Sequence, residues 1–179
     1  MMYGLIGIAV KKLVETEMGA QAWVEICDKA EFPERDFIKT DYYDDKLIFE
    51  LVQQVSDKLN TSTDEVLKKF GHYWIDFAIS EGYGEAYKIG GNSFIDFLKN
   101  LNKLHLYVAT SFSNLQPPHF QVVNESEQDF DLIYRSTRDG LEFMVIGLVE
   151  ALATKFNKTI SITDVIKDSE KVLLKVKYI

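Results

Sequence analysis

The sequence is poor in cysteine, histidine and proline, and its acidic residues outnumber its basic ones. A single cysteine, Cys27, excludes an internal disulfide, a cysteine cluster for structural zinc and covalent cofactor attachment through a Cys-x-x-Cys pair. The 28 acidic and 20 basic residues leave a formal charge of -8. Nucleic acids and anionic membranes attract proteins with a surplus of lysine and arginine, so we expect no nucleic acid and no membrane among the partners.

Long apolar runs and export signals are also missing. No stretch approaches the ~20 apolar residues that span a bilayer, and the first residues lack a basic leader followed by a small-residue cleavage site. We therefore expect a cytoplasmic protein. With 179 residues, 46% of them hydrophobic, the chain can bury one sizeable core but is short for two. We predict one domain over residues 1–179, without an effector domain of its own.

The first part of the sequence has helical periodicity. Apolar residues that recur every three or four positions predict amphipathic helices, and the segments with this pattern are 6–14, 23–30 and 42–60. Ser62 and Glu65 then form a capping-box pattern, which predicts another helix start. The glycine-rich segment 81–91 lacks the strand-and-helix context of a phosphate-binding loop, so we predict an ordinary loop there.

The pattern changes from helical to alternating after a helix that contains His105. Asn92 or Ser93 caps this helix, and Leu104 and His105 share its apolar face. Pro117 and Pro118 end this helix, because a helix interior does not tolerate proline. Short alternating runs then predict four strands, over 120–122, 130–134, 159–162 and 172–179. One more helix is predicted between the second and third strands, over 140–156. The predicted fold is α+β: a helical N-terminal part followed by an antiparallel four-stranded sheet with a crossing helix.

The most informative polar pattern is Tyr134-x-Ser136-x-Arg138. In a strand these three side chains would share one face, where an arginine and two hydroxyls suit a ligand with carboxylates. The pattern alone also describes a solvated sheet face. Likewise, a histidine on an apolar helix face, such as His105, is more often a hydrogen-bonded core residue than a ligand.

Taken together, these residues resemble the H-NOX family, the heme nitric oxide/oxygen sensor domains related to the heme domain of soluble guanylate cyclase. The resemblance covers nearly the whole chain and keeps the order and approximate spacing of the family's motifs. The matching segments are Met2–Gly4, Phe70–Trp74, Leu104-His105, Pro118, Tyr134-x-Ser136-x-Arg138, Gly140-Leu141 and Gly147.

The resemblance implies a non-covalently bound heme b between the helices and the sheet. His105 would then be the proximal ligand of the iron, as a neutral imidazole. Arg138 would pair with the heme propionates, and Tyr134 and Ser136 would donate hydrogen bonds to them. Pro118 would press on the porphyrin and keep it bent.

The resemblance also implies which residues face the gas. Oxygen-binding members of the family have a tyrosine on the helix after the motif; Met144 takes that place here, or Phe143 if the gap is placed differently, and neither can donate a hydrogen bond. Trp74 has an indole N–H and is either a distal donor or, more commonly for such a position, a core aromatic. The remaining apolar wall is expected from Ile6, Val10, Ala78 and Leu148.

We therefore predict a heme-based sensor of nitric oxide that is not an enzyme. Carbon monoxide is a second candidate ligand, and oxygen is expected to bind weakly. Family behaviour in bacteria implies a partner in trans, such as a histidine kinase or a cyclic-di-GMP enzyme. The alternatives are an oxygen sensor or carrier that uses Trp74, a peroxidase-type enzyme that uses His72 as its acid/base group, and a module without heme whose Arg138 face binds a carboxylate.

Overall fold

The computed structural model describes residues 1–112 and 115–179. Its elements are, in chain order, β1 (Met2–Tyr3), α1 (Gly4–Met18), α2 (Ala20–Lys29), β2 (Tyr42–Tyr43), α3 (Asp45–Leu59), α4 (Thr63–Ala78), a π-helical turn (Ile79–Tyr83), α5 (Gly84–Ile89), α6 (Phe94–Ala109), β3 (His119–Val123), β4 (Asp129–Arg135), α7 (Glu142–Lys155), β5 (Ile160–Lys167) and β6 (Val172–Tyr178). The predicted α+β class, with helices first and a sheet after them, is confirmed.

Side-chain caps begin the two helices that the sequence marked most clearly. The Ser62 hydroxyl accepts a hydrogen bond from the Glu65 amide at 3.2 Å, before α4. At α6, Ser93 rather than Asn92 is the cap, and its hydroxyl accepts from the Asp96 amide at 3.2 Å. Such caps satisfy amides that have no partner inside the helix, so both helix starts could be identified from a few residues.

The loop predicted over residues 81–91 is wrong. The segment instead forms the π-helical turn, which breaks at Gly82 with φ of +99°, and then α5. Ile79, Tyr83 and Ala86 line one internal cavity, at the three- and four-residue spacing of a helix. The glycines obscured this periodicity, although only two of the four, Gly82 and Gly91, have the positive φ that other residues rarely adopt.

The main sheet has the strand order β3-β4-β6-β5, and every neighbouring pair is antiparallel. Phe120 in β3 lies opposite Tyr134 in β4, which lies opposite Val172 in β6. Because opposite residues share a face, these three buried side chains point to the same side of the sheet. A second sheet, not predicted, pairs β1 with β2 over two residues each.

Two core clusters lie on either side of an internal cavity. One is built mainly from α1–α4, and the other from α6, α7 and the sheet. Helices α4 and α7 pack against each other at two glycines: a Cβ on Gly71 would lie 2.2 Å from the Met144 carbonyl oxygen, and one on Gly147 would lie 2.0 Å from that of Lys68. Within the described ranges, no helix is long and apolar enough to cross a bilayer.

Candidate functional site

The cavity between the two core clusters has a volume of about 320 Å³, which is within the usual range for small-molecule and cofactor sites. Its walls come from α1, α4, α5, α6, α7 and β4, and most of the lining side chains are apolar. Twelve residues predicted for the site line this cavity: Ile6, Val10, Trp74, Ala78, Leu104, His105, Pro118, Tyr134, Ser136, Arg138, Met144 and Leu148. The fold thus brings together residues that are up to about 140 positions apart in sequence.

His105 is the one histidine among the described residues that line the cavity. Its side chain is half-buried, yet burial lowers the pKa of the imidazole below its ordinary value, with the Pro118 backbone opposing part of the shift. The accessible part of the ring therefore opens into the cavity rather than into bulk water. Its Nδ1 atom is buried, and no described residue offers it a well-formed hydrogen bond. A neutral imidazole in such surroundings can coordinate a metal.

Tyr134 presents a hydrogen-bond donor to the cavity. It lies near the end of β4 and is buried. Burial raises the pKa of its phenol, and the Ser136 hydroxyl opposes part of that shift. The phenol is therefore protonated at neutral pH and can donate to a ligand oxygen.

The prediction that Tyr134, Ser136 and Arg138 lie on one strand is wrong, because only Tyr134 lies in a strand. Strand β4 ends at Arg135, and the next residues form a turn in which the Ser136 hydroxyl accepts a hydrogen bond from the Arg138 amide at 3.0 Å. Serine commonly stabilises turns in this way. All three side chains nevertheless line the cavity, because the turn brings Arg138 back to it.

The guanidinium of Arg138 is mostly buried and already paired. It is 19% exposed, and its Nε lies 3.3 Å from Oδ2 of Asp45, at the start of α3. It also donates to the backbone carbonyl of Met1, whose amino group lies 3.0 Å from Oδ1 of Asp45. Asp45 was missed by the sequence analysis, because no local pattern relates a helix start to an arginine over 90 residues later.

The apolar walls contain the residues expected on the gas side. Met144 lines the cavity, whereas its neighbour Phe143 is not among the described lining residues. Trp74 also lines the cavity and packs against Phe70 and Phe77, with ring centroids 5.8 and 5.7 Å away. Val10 and Ala78 complete this part of the wall together with Ile6 and Leu148.

Three further tyrosines that were not predicted also line the cavity: Tyr3, Tyr83 and Tyr87. The hydroxyls of Tyr3 and Tyr42 share a short hydrogen bond, and the Nζ of Lys39 lies 5.0 Å from the ring centroid of Tyr83. These tyrosines lie in the short β1 and in the segment mistaken for a loop, so no periodic pattern had pointed to them.

These residues fit a heme. The cavity offers one neutral imidazole for iron, apolar walls for a flat macrocycle, and a cation with two hydroxyls for its carboxylates. His72, by contrast, is not among the described residues that line the cavity, and its Nε2 lies 2.9 Å from a carboxylate oxygen of Glu150. His105 is therefore the one histidine that the described lining offers to a peroxidase-type reaction.

Sequence comparisons point the same way. A family model described as Haem-NO-binding matches residues 3–164. Soluble guanylate cyclase gcy-33 of Caenorhabditis elegans is 28% identical over 182 residues, which cover 99% of this chain and 19% of the cyclase. Soluble guanylate cyclase 89Da of Drosophila melanogaster is 26% identical over 155 residues, which cover 87% of this chain and 23% of the cyclase. The chain thus spans about a fifth of the length of these relatives.

Solved structures share the fold. An H-NOX protein from Shewanella oneidensis, in the Fe(II)NO ligation state, superposes with a TM-score of 0.87 and 22% identity over 99% of both chains. An oxygen-binding H-NOX domain related to soluble guanylate cyclases, in its oxygen complex, superposes with a TM-score of 0.77 and 19% identity, covering 99% of this chain and 94% of that one. At these identities the likeness supports the fold alone.

Proposed function

Because this chain belongs to the Haem-NO-binding family, we propose that it binds heme b through His105, senses nitric oxide and reports to a separate signalling protein. The observation that carries the proposal is the cavity itself: His105 opens into an apolar space that Tyr134, Ser136 and Arg138 also line. A bound ferrous heme supplies an iron atom with an open coordination position for a diatomic gas.

The polar residues have separate roles in this proposal. His105, kept neutral by burial, holds the iron. Arg138 and the hydroxyls of Tyr134 and Ser136 hold the two propionates, which removes the need for a covalent tether. Pro118, also in the lining, limits how flat the cofactor can lie.

Gas selectivity follows from what surrounds the open position. Bound oxygen gains from a nearby hydrogen-bond donor, whereas nitric oxide binds ferrous iron strongly without one. Met144 and Leu148 line the cavity on α7, and neither can donate. We therefore propose a nitric oxide sensor that also takes up carbon monoxide and holds oxygen poorly.

Absorption spectroscopy of the reduced protein tests this proposal. Addition of nitric oxide and of carbon monoxide should each give a stable complex with a shifted Soret band. Exposure of the reduced protein to air should leave no long-lived oxy spectrum. A stable oxy complex would contradict the assignment, and a colourless protein expressed with ample heme would contradict the cofactor.

An oxygen sensor remains the second candidate, because Trp74 lines the cavity and its indole N–H could donate to bound oxygen. The contacts of Trp74 with Phe70 and Phe77 support the packing role more strongly. The Trp74→Phe variant separates the two functions: a lower oxygen affinity would support the second candidate, and an unchanged affinity would support the first.

Signalling requires an element that moves when the gas binds. We propose that this element is α6, which carries His105 and packs on β3: release of His105 would free α6 relative to the sheet. The partner is proposed to be a bacterial histidine kinase or cyclic-di-GMP enzyme in the cytoplasm, and the chain itself is proposed to have no catalytic activity.

A further inference from the structure

Asn102 joins helix α6 to the sheet with two hydrogen bonds. Its Nδ2 donates to the Phe120 carbonyl oxygen at 2.7 Å, and its Oδ1 accepts from the Phe120 amide at 2.9 Å. Asn102 lies one helical turn before His105 on α6, and Phe120 is the second residue of β3. One side chain thus makes a two-point contact between the element that carries the proposed iron ligand and the sheet.

The position of Phe120 explains why an amide side chain is suited to this contact. Strand β3 is at the edge of the sheet, and alternate residues of an edge strand point both backbone N–H and C=O away from the neighbouring strand. An asparagine side chain offers an acceptor oxygen beside a donor NH2 group, which reproduces the pairing of a strand. A carboxylate lacks the donor, and an aliphatic side chain lacks both groups.

Phe120 also contacts both halves of the proposed heme site. Its ring centroid lies 5.9 Å from that of His105 and 5.4 Å from that of Tyr134. The Phe120 side chain is buried and lines the cavity. A backbone that Asn102 fixes therefore holds a ring between the proposed iron ligand and a proposed propionate donor.

We propose that Asn102 is a positioning residue that latches α6 to β3 and thereby opposes movement of the helix when His105 is released. This role rests on the proposed function, in which His105 binds iron and α6 transmits the signal. The latch sets how readily α6 leaves the sheet, and so how readily His105 would part from the iron of a bound heme once nitric oxide is present.

The test compares three variants with the wild type. Asn102→Ala removes both hydrogen bonds, and Asn102→Asp keeps an acceptor for the Phe120 amide but loses the donor. The matched control is Asn100→Ala, because Asn100 lies on the same helix but its side chain makes a single hydrogen bond to the described residues, to the Gly90 carbonyl oxygen at 3.3 Å. Asn102→Asp also provides a second variant if Asn102→Ala does not fold.

Two measurements are made on the full chain. Hydrogen exchange of the protein as purified should be faster in β3, at Phe120, by about tenfold in Asn102→Ala, less in Asn102→Asp and not at all in Asn100→Ala. Stopped-flow mixing of the reduced protein with nitric oxide should show a faster conversion from six- to five-coordinate iron than in the wild type. The increase should be about three- to tenfold and largest in Asn102→Ala, smaller in Asn102→Asp and absent in Asn100→Ala.

The outcomes separate the latch from the proposed function. Faster exchange with unchanged conversion kinetics and an unchanged iron–histidine stretching frequency would overturn the positioning role and leave a merely structural contact. Unchanged exchange would overturn the latch itself. A wild-type protein that binds heme without an iron–histidine stretch would overturn the proposed function, and with it this role for Asn102.

Discussion

At the scale of single residues, the site depends on a few polar groups in an apolar cavity. Burial is the largest influence on the pKa of two of them: it lowers that of His105, against the Pro118 backbone, and raises that of Tyr134, against the Ser136 hydroxyl. A buried neutral imidazole is ready to bind a metal, and a buried neutral phenol is ready to donate a hydrogen bond. Met144, which lines the same cavity, has no hydrogen-bond donor for bound oxygen.

The first prediction concerns Met144. A tyrosine there would add a hydroxyl donor to the cavity wall, and a hydrogen bond to an oxygen that carries negative charge is worth about 1.5–3 kcal/mol. Reduced Met144→Tyr should therefore lose oxygen about ten times more slowly than the wild type, or more slowly still, as measured by using carbon monoxide to trap the ferrous heme that remains when oxygen leaves.

Met144→Phe is the control for this experiment, since it adds a ring of similar bulk without the hydroxyl. It should resemble the wild type in oxygen dissociation. If Met144→Phe slowed oxygen loss as much as Met144→Tyr, side-chain volume rather than hydrogen bonding would control selectivity, and the role assigned to Met144 would be wrong.

At the scale of the elements, ion pairs fix the π-helical turn that lines the cavity. Glu81 lies 2.6 Å from the Nζ of Lys12 on α1 and 3.4 Å from that of Lys39, and Lys39 also donates to the Glu81 carbonyl oxygen at 3.1 Å. The hydrogen bond from Lys12 lowers the pKa of the Glu81 carboxyl, although partial burial opposes this. Glu81 therefore favours the folded state while it is ionised.

The second prediction is the pH dependence of this contribution. Because the folded-state pKa of Glu81 is lowered, its stabilisation is present above the unfolded value, about 4.3, and is lost as the pH falls through the folded value. Glu81→Gln should lower the free energy of unfolding by about 0.5–1 kcal/mol at pH 7, and the difference from the wild type should shrink and then disappear as the pH falls through the lowered folded-state pKa of Glu81.

Denaturant unfolding at several pH values measures this difference. The control is Glu85→Gln, because Glu85 is 75% exposed and pairs only with the nearby Lys88 among the described residues. It should change the free energy of unfolding little at any pH. A Glu81→Gln effect that persisted unchanged at pH 3 would show that the carboxylate charge is not its cause.

The third prediction concerns the contact between α4 and α7, the helices that carry Trp74 and Met144. A Cβ on Gly147 would lie 2.0 Å from the Lys68 carbonyl oxygen, so the helices would have to separate. Gly147→Ala should lower the free energy of unfolding by about 1–3 kcal/mol, despite the higher helix propensity of alanine.

Gly84→Ala is the matched control for Gly147→Ala. Among the described residues, a Cβ there would meet only Ile79 Cγ2, at 3.8 Å, and the backbone of Gly84 is helical, with φ of −59°. This variant should be neutral or slightly stabilising. Equal losses of stability in the two variants would mean that close packing at Gly147 is not what matters.

Local sequence patterns predicted the elements that carry their own signals. The caps at Ser62 and Ser93 depend on residues within one turn, and the helix that follows each cap, α4 or α6, has a regular apolar stripe. The two-residue strands β1 and β2 are too short to show a period. In the segment 79–89 the glycines obscured a helical pattern, and past Arg135 the alternation of Tyr134, Ser136 and Arg138 concealed a turn.

The contacts that organise the site were less predictable than the residues that form it. Asp45 pairs with Arg138, which comes more than 90 residues later, and Asn102 pairs with Phe120 across the loop between α6 and β3. No periodicity or spacing links such residues, because their proximity arises only when the helices pack on the sheet. The family resemblance pointed to the cavity residues but not to these supporting contacts.

At the scale of the whole molecule, the cavity lies where two core clusters meet, and residues of both line it. A cofactor in this position would join the N-terminal helices to the sheet. Arg138 reinforces this arrangement, since its guanidinium lines the cavity and pairs with Asp45 of α3. The central claim is that His105 attaches that cofactor to α6.

The spectrum of reduced His105→Gly, recorded without and with added imidazole, tests this claim most directly. We predict that the variant loses the five-coordinate histidine-ligated spectrum and that imidazole restores it, while His119→Gly, a change at an exposed histidine, leaves the spectrum unchanged. A His105→Gly protein with the wild-type spectrum and no response to imidazole would contradict the account.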